Sequence, residues 1–450
     1  MEKVDILVIG GSAASLSTCI TARRYYPDAK ITVIREEKRG QLLVPCGIPY
    51  VFGTVDGLKQ NIVSDAILTT NNVDLIVDKA TEINREKKTV TTAQGKTIGY
   101  EKLVLATGAT PTIIPLPGYD LENVYYAIKD IDYLSKLLTS LDAAKNIVVI
   151  GGGFIGLEFS DEFKKRGLNV TVVEALPHCL QLVFDEQFST LATDKLKERG
   201  IHVRTNEKAQ KIIGDEKVQS LQLQTGEELP ADIIFMAVGV HPEVTLAEQA
   251  GLTIGSIRAI EVDVYGRTSD KDIFAVGDCA EKRSFFTNKP SALRLASISS
   301  YEARIVGANL FGLRRRNQGV IGSFVTIIGD TGIGKAGLSE AEATDDGYEA
   351  ISAELLTPDK HPASMPGSQE LRVKLVFEKA THRILGGQVA GGSTVGEIVN
   401  ILAVFIQNKM AADEIATFQY GTHPYFTPSP IPYPITNVAD IALARLRSSL

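Results

Sequence analysis

The chain has 450 residues, of which 44% are apolar and 22% charged, a composition that excludes disordered, collagen-like and coiled-coil proteins. Its 47 basic and 54 acidic residues give a net charge of −7, which argues against a nucleic-acid or anionic-membrane partner. Four cysteines are too few for a disulfide framework, so an important cysteine is expected to be redox-active or catalytic. The N-terminus lacks a signal-peptide pattern and no apolar stretch approaches ~20 residues, so we expect a cytoplasmic protein without a membrane span.

The chain begins with a predicted strand, glycine turn, helix and second strand. Small residues in such a turn let the backbone approach a pyrophosphate, and the helix N-terminus supplies N–H donors. The pattern is degenerate, because Ser12 and Ser15 stand at the second and third glycine positions, and it also fits a turn that needs glycine only for packing. The candidate dinucleotide-binding residues are Gly10, Ser12, Ala13, Ala14 and, at the end of the second strand, Glu36.

A cysteine follows this unit in an unusual setting. Cys46 lies between Pro45 and Pro49, and a proline suits the first turn of a helix, so we predict that Cys46 lies near a helix N-terminus. That position lowers the pKa of a thiol, and the thiolate is the reactive form. The alternative is a buried cysteine in a turn. The other cysteines, at positions 19, 179 and 279, are interpreted as small buried residues.

A second strand–turn–helix–strand unit follows an apolar strand at 103–105. That strand ends in the small-residue turn Ala106, Thr107 and Gly108. In the second unit Gly151, Gly153 and Gly156 match G-x-G-x-x-G fully, and Glu174 stands 23 residues after Gly151, where a ribose 2′-OH acceptor is expected. A carboxylate there repels a 2′-phosphate, and the four residues after it include no arginine, so NADH is predicted over NADPH.

Two further strand ends complete the pattern. One apolar run leads to Gly239 and another to Gly277 and Asp278, where Asp278 is either a helix N-cap or a cofactor contact. Together, the five motifs in this order resemble the pyridine nucleotide–disulfide oxidoreductases, which are flavoproteins with two dinucleotide-binding domains. In that family the first unit binds FAD, Gly-Asp contacts the flavin's ribityl and pyrophosphate region, and the second unit binds NAD(P)H.

The resemblance implies an α/β fold with two Rossmann-like dinucleotide-binding domains, the NAD domain being inserted in the FAD domain, plus a C-terminal α+β dimerisation domain. The expected FAD-binding domain comprises 1–112 and 244–317, the NAD(H)-binding domain 113–243 and the dimerisation domain 318–450. Alternating strands near 371–377 and 384–389 and a helix-like run at 395–409 agree with the last of these. An obligate homodimer is expected, because the family completes each active site with the partner's C-terminal segment.

The resemblance also assigns the chemistry to Cys46. Gln41 and Val51 stand where a second cysteine would lie five residues away, so the chain is similar to the single-cysteine branch of the family. In that branch hydride passes from NADH to FAD, and two electrons then reach a sulfur held on the cysteine. Coenzyme A-disulfide reductases have a small residue at the position of Ala13, whereas oxidases and peroxidases have His, so Ala13 favours thiol chemistry. Leu42 and Pro45 replace the Ser and Asn of the coenzyme A enzymes, which leaves coenzyme A binding open.

The C-terminal segment carries the expected acid/base. His423-Pro424 is similar to the two-cysteine relatives, in which a His of the partner subunit protonates the leaving thiol, and Tyr420 or Tyr425 is the alternative donor. Pro428 stands where those relatives have an orienting Glu. Glu158 matches a family carboxylate near the nicotinamide. The histidines show no metal-binding spacing, so no metal is expected.

The sequence therefore predicts an FAD-dependent NADH oxidoreductase that reduces a small-molecule disulfide, persulfide or polysulfide through Cys46. Two alternatives remain. One is an NADH oxidase or peroxidase that cycles Cys46 through a sulfenate, and the other is a non-catalytic NADH-sensing flavoprotein.

Overall fold

The computed structural model describes residues 2–448, which form two compact units. The first unit contains residues 2–114, 126–143 and 238–320, and the second contains 115–125, 144–237 and 321–448.

The strands, in chain order, are β1 (Glu2–Ile9), β2 (Ile31–Arg35), β3 (Val73–Val77), β4 (Ala80–Asn84), β5 (Thr89–Thr92), β6 (Thr97–Leu105), β7 (Ala109–Pro111), β8 (Val124–Tyr126), β9 (Asn146–Ile150), β10 (Asn169–Val173), β11 (His202–Arg204), β12 (Ala209–Gly214), β13 (Val218–Leu223), β14 (Glu228–Pro230), β15 (Ile233–Met236), β16 (Val240–Pro242), β17 (Ile273–Ala275), β18 (Lys282–Arg283), β19 (Pro290–Ser291), β20 (Ser323–Ile328), β21 (Thr331–Gly337), β22 (Ala350–Pro358), β23 (Glu370–Glu378) and β24 (Ile384–Gly391).

The α-helices are α1 (Ala13–Tyr25), α2 (Ala66–Thr70), α3 (Ile131–Ala143), α4 (Phe154–Lys165), α5 (Glu186–Glu198), α6 (Thr245–Gln249), α7 (Ala296–Asn309), α8 (Glu340–Asp345), α9 (Val395–Gln407), α10 (Ala412–Ala416) and α11 (Pro434–Ser448). Short 3-10 turns lie at Pro45–Gly47, Pro49–Phe52, Leu58–Asn61 and Gly277–Cys279.

The first unit is built on a seven-stranded sheet of order β3-β2-β1-β6-β5-β4, in which β17 also pairs with the C-terminal part of β6. Strands β1, β2, β3, β6 and β17 run parallel, so their carboxyl ends meet at one edge of the sheet. The middle of β1 is a continuous apolar run because both of its faces are buried, with Ile6, Leu7 and Val8 fully inside.

The second unit contains two five-stranded sheets. In the sheet of order β11-β10-β9-β15-β8, strands β9, β10, β11 and β15 are parallel. The other sheet is antiparallel, of order β20-β21-β24-β23-β22, and α9 packs on β21 and β24.

These sheets confirm the predicted fold class, including both strand–turn–helix–strand units and the C-terminal sheet with helices. The residue limits of the three domains stay a prediction. Within residues 2–448, no helix combines the length and the apolar character that crossing a bilayer requires.

Candidate active site

The turn after β1 is shaped by Gly10. Its φ of +122° is one that side chains rarely adopt, and a Cβ at this position would lie 2.1 Å from the carbonyl oxygen of Ala106. Ser12 is the N-cap of α1, and Ala13 and Ala14 begin the helix. The small side chains and the N–H groups of the first helical turn fit the approach of a pyrophosphate.

The carboxylate of Glu36 follows β2 at the same edge of the sheet. It forms an ion pair with Lys79 at 3.5 Å, in which both side chains are more than half exposed. Such a pair is weak, so the Glu36 carboxylate stays accessible to a ribose hydroxyl.

Two hydrogen bonds connect the turn after β6 to the segment that precedes α6. The Thr107 hydroxyl donates to the carbonyl of Glu243 at 2.6 Å, and the Glu243 N–H donates to the carbonyl of Gly108 at 2.9 Å. Gly108 has a φ of +76°, which explains the glycine. The hydroxyl of Thr107 therefore fixes the turn in this structure.

The turn after β17 lies against the first turn of α1. A Cβ on Gly277, whose φ is +76°, would lie 2.9 Å from the Cβ of Ala14. Asp278 is the middle residue of the 3-10 turn that Val276 caps, so Asp278 is not a helix N-cap. Its carboxylate is partly buried and accepts a hydrogen bond from the Ser299 hydroxyl at 3.4 Å. The structure thus brings the Gly277–Asp278 turn next to the Gly10 turn.

Cys46 is the second residue of a 3-10 turn of three residues that begins at Pro45, so it lies at the start of a short 3-10 turn and not at the N-terminus of an α-helix. In an α-helix the carbonyl of Pro45 would accept the N–H of residue 49, but that residue is Pro49 and has no N–H. The carbonyl instead accepts the N–H of Ile48 at 3.2 Å, which closes a tighter turn. A turn this short lacks the dipole of a long helix, so the pKa argument from a helix N-terminus does not apply to Cys46.

Asn61 holds the turn that carries Cys46. The carbonyl of Val44 accepts hydrogen bonds from the Asn61 side-chain amide at 2.9 Å and from the Gly47 N–H at 3.0 Å. The Val44 N–H in turn donates to the backbone carbonyl of Asn61 at 2.9 Å. A Cβ on Gly47 would lie 2.0 Å from Oδ1 of the buried Asn61, so this contact requires glycine. Asn61 belongs to no motif, so the sequence alone does not reveal this role.

The exposure of the cysteines separates Cys46 from the rest. Cys46 is exposed, whereas Cys19, Cys179 and Cys279 are buried, as the sequence predicted. Burial raises the pKa of Cys19 and of Cys179 to about 12, and it also raises the pKa of Cys279. These three thiols therefore stay protonated and shielded at neutral pH, which leaves Cys46 as the candidate nucleophile.

The second glycine turn, between β9 and α4, is shaped like the first. Gly151 has a φ of +111°, and a Cβ on Gly156 would lie 1.9 Å from the carbonyl oxygen of Gly151. Gly153 is the N-cap of α4, and a Cβ built there meets no described atom within 4 Å. Gly151 and Gly156 are thus required by the turn itself, whereas Gly153 leaves space on its outer side that fits a pyrophosphate.

Two alanine substitutions separate these roles. We expect Gly156→Ala to lower the melting temperature, because its Cβ would overlap a backbone oxygen, an overpacking that costs about 1–3 kcal/mol. Gly153→Ala should leave the melting temperature unchanged and raise the KM for NADH roughly tenfold, because its methyl group enters the space left for the pyrophosphate. Thermal unfolding and NADH kinetics test both, and an unchanged KM in Gly153→Ala would contradict the assignment.

Glu174 follows β10 and reaches back to the glycine turn. Its Oε2 accepts the N–H of Gly152 at 2.6 Å, and its Oε1 accepts the N–H of Leu176 at 2.8 Å. A carboxylate has about four lone-pair sites, so each oxygen can still accept a hydrogen bond from a ribose hydroxyl. The carboxylate therefore holds its own turn while remaining suited to the predicted role.

Glu158 lies on α4, where its Oε1 accepts a hydrogen bond from the Thr326 hydroxyl of β20 at 3.0 Å. Burial raises the pKa of the Glu158 carboxyl above its usual range, and the hydrogen bond from Thr326 opposes this effect. Thr326 is a further residue that the sequence analysis missed. Gly239, with a φ of +96°, lies in the turn between β15 and β16, and its carbonyl accepts the N–H of Thr112.

His423 lies in an exposed turn of the C-terminal segment. Its Nδ1 accepts the N–H of Tyr425 at 3.2 Å, and its backbone N–H donates to the Thr427 hydroxyl at 3.0 Å. This hydrogen bond assigns the proton of the neutral imidazole to Nε2. The backbone thereby supplies the orienting contact that Pro428 cannot make. Nε2 is therefore the nitrogen left to exchange a proton with a leaving thiol.

The two tyrosines differ in their surroundings. The Tyr420 ring stacks on Tyr433 with 3.8 Å between centroids, and its hydroxyl donates to the carbonyl of Pro430 at 3.1 Å. Tyr425 is exposed, and its ring centroid lies 6.4 Å from that of His423. These contacts favour His423 over Tyr420 as the acid/base.

Comparisons with known proteins agree with this geometry. The family model described as pyridine nucleotide-disulphide oxidoreductase matches residues 4–302, and the dimerisation domain of that family matches residues 323–430. The NADH oxidase of Methanocaldococcus jannaschii is 32% identical over 98% of this chain and 99% of its own. The NAD(P)H coenzyme A polysulfide/persulfide reductase of Pyrococcus horikoshii is 30% identical over 92% of this chain and 94% of its own.

A solved structure gives the same result. The NAD-dependent persulfide reductase from A. fulgidus superposes with a TM-score of 0.91 at 32% identity, covering 99% of this chain and 84% of that chain. Members of the family are FAD-dependent NAD(P)H oxidoreductases, and the two glycine turns described above fit those two dinucleotides. The chain therefore belongs to the pyridine nucleotide-disulphide oxidoreductase family.

Proposed function

We propose that the protein is an FAD-dependent NADH oxidoreductase that reduces a disulfide, persulfide or polysulfide through Cys46. The observation that carries the proposal is the exposure of Cys46 on a turn held by Asn61, in the unit that also contains the Gly10 and Gly277 turns. Two similar proteins that are named as persulfide reductases support a sulfur compound of this class as the acceptor.

The proposed reaction gives each residue a defined task. When bound, FAD supplies the two electrons of NADH to the sulfur site. The thiolate of Cys46 attacks one sulfur of the acceptor, a new S–S bond forms, and the old S–S bond breaks. His423 of the partner subunit, in its imidazolium form, gives the leaving thiolate a proton from Nε2 and becomes the neutral imidazole. Reduction of the mixed disulfide by two electrons then returns Cys46 to the thiolate and releases the second sulfur.

An NADH oxidase is the second candidate, because the relative in M. jannaschii carries that name. In this case Cys46 would cycle through a sulfenate. The presence of Ala13 at the start of α1 argues for thiol chemistry, since the resemblance places a His there in the oxidases.

Anaerobic titration with NADH, followed by a panel of acceptors, tests the proposal. We expect bleaching of the flavin by NADH and turnover with coenzyme A disulfide, persulfide or polysulfide, but little with oxygen or peroxide. Fast turnover with oxygen or peroxide and none with sulfur compounds would favour the oxidase. Slow turnover with every acceptor would favour the non-catalytic sensor.

We also propose that the protein is a homodimer. The match to the dimerisation domain supports this, and apolar side chains of the C-terminal segment are exposed in the single chain, with Phe426 70% and Ile431 86% exposed. Light scattering coupled to size-exclusion chromatography should give twice the 48.6 kDa of one chain. The cytoplasmic location stays a prediction.

The preference for NADH depends on charge at the end of β10. Arg204 lies on the neighbouring β11, but its guanidinium is 2.8 Å from Glu207 and 2.6 Å from Glu227. With both partners it is unsuited to offset the repulsion between Glu174 and a 2′-phosphate. This arrangement supports NADH as the electron donor.

Replacing Glu174 tests this preference. We expect Glu174→Gln to lower kcat/KM for NADH roughly tenfold, because a charged acceptor of the ribose hydroxyls is lost, and to raise the relative rate with NADPH. Gln keeps an oxygen for the N–H of Gly152, so the turn should persist. The ratio of kcat/KM for the two nucleotides is the measurement. An unchanged ratio would contradict the role of Glu174.

A further inference from the structure

A buried ion pair lies beside the Gly277–Asp278 turn. Lys282 on β18 and Glu302 on α7 have side chains that are 1% and 7% exposed, and Nζ of the lysine lies 3.5 Å from Oε2 of the glutamate. Burial raises the pKa of Glu302 to about 7, the charge of Lys282 opposes this effect, and the nearby charge of Asp278 adds to it. The pair is not part of any motif that the sequence analysis identified.

Both members of the pair bind the backbone of one residue. The Gly277 N–H donates to Oε2 of Glu302 at 3.0 Å, and the Gly277 carbonyl accepts a hydrogen bond from Nζ of Lys282 at 2.6 Å. Nζ also donates to the carbonyl of Ala280 at 3.1 Å, which lies just beyond the turn. Opposite charges thus hold the two polar groups of Gly277, the residue that precedes Asp278.

Such a pair needs a reason other than stability. The desolvation of two charges often exceeds their attraction, so an apolar pair of similar volume holds a protein core equally well. Hydrogen bonds to charged groups are short and directional, and they fix the orientation of a peptide group better than apolar packing does. The two peptide groups on either side of the Gly277 Cα must be oriented accurately, because their orientation determines where the neighbouring Asp278 carboxylate lies.

We propose that Lys282 and Glu302 are positioning residues for FAD: together they hold the Gly277 peptide so that the turn presents Asp278 to the bound cofactor. Asp278 touches the cofactor in this scheme, whereas Lys282 and Glu302 act through the turn. The proposal concerns cofactor binding and does not depend on the identity of the acceptor that Cys46 reduces.

The test uses the double variant Lys282→Met/Glu302→Leu, in which apolar side chains of similar length replace both charges and neither is left unpaired. FAD release is measured from the fluorescence of the freed flavin when the holoenzyme is diluted, and unfolding is followed by circular dichroism. We expect release of FAD to be about tenfold more favourable, together with a lower melting temperature, because the buried N–H and carbonyl of Gly277 lose their partners. The control is Lys102→Met, which breaks an ion pair with Asp272 at the opposite end of β17.

The conservative variant Glu302→Gln separates positioning from a general loss of packing. Its amide oxygen still accepts the Gly277 N–H, so its FAD affinity should lie between those of the parent and of Glu302→Ala. FAD affinity within twofold of the parent in the double variant would overturn the proposal. A loss of FAD in Lys102→Met equal to that in the double variant would also overturn it, since the effect would then follow from fold stability alone.

Discussion

Cys46→Ser should abolish reduction of disulfides, persulfides and polysulfides, with a loss of at least about 10³-fold in kcat, while NADH still bleaches the flavin at the parent rate. A serine hydroxyl is a poor nucleophile toward sulfur at neutral pH, so no mixed disulfide forms. The NADH half-reaction does not need the thiol. Stopped-flow absorbance of the flavin and steady-state release of thiol measure the two halves separately.

The matched control is Cys19→Ala. Cys19 is buried on α1 and its thiol pKa is about 12, so its removal should leave turnover within about twofold of the parent. Undiminished acceptor reduction in Cys46→Ser would refute the proposed function. It would leave the assignment of Lys282 and Glu302 to FAD binding intact, because that proposal is tested by flavin release.

His423→Ala should lower kcat/KM for a disulfide with a poor leaving group by about 10²-fold, which is the usual contribution of a general acid. The loss should shrink as the pKa of the leaving thiol falls, because a stable thiolate departs without a proton. A series of disulfides with graded leaving-group pKa values therefore provides the measurement.

Tyr420→Phe and Tyr425→Phe are the comparison variants. The hydroxyl of Tyr420 is bonded to the Pro430 carbonyl and its ring is stacked on Tyr433, so its removal should have no dependence on the leaving group. The Tyr425 backbone N–H, which orients His423, survives the change to Phe. If Tyr425→Phe showed the leaving-group dependence and His423→Ala did not, the acid would be Tyr425.

The glycine turns were predictable because their requirements are local. Gly156 must accommodate the carbonyl of Gly151 five positions earlier, and Gly10 must turn sharply at the end of β1. Such steric demands leave a recognisable spacing in the sequence. The apolar strands that precede both turns are equally easy to predict from the sequence, because parallel strands buried on two faces are continuous apolar runs.

The environment of Cys46 was predicted less well. Pro45 and Pro49 favour the start of a helix in the sequence, but Pro49 cannot donate to the carbonyl of Pro45, which excludes an α-helical turn there. Other candidate functional residues are hydrogen-bonded to partners far away in the sequence. Glu158 and Thr326, for example, are 168 positions apart. Neither residue has a neighbour in the sequence that reveals its partner. The same is true of Asn61, Lys282 and Glu302.

Glu174 supports the glycine turn and also favours NADH, and this combination affects how nucleotide preference can evolve in this chain. The carboxylate that favours NADH also accepts the N–H groups of Gly152 and Leu176. A mutation toward NADPH that replaces Glu174 by a side chain without an oxygen acceptor therefore removes a structural support together with a specificity determinant, and leaves two amide donors in need of new acceptors. Mutational paths that first introduce a substitute acceptor near Gly152 should be more accessible than paths that begin with such a replacement, since they avoid an intermediate whose glycine turn is loosened.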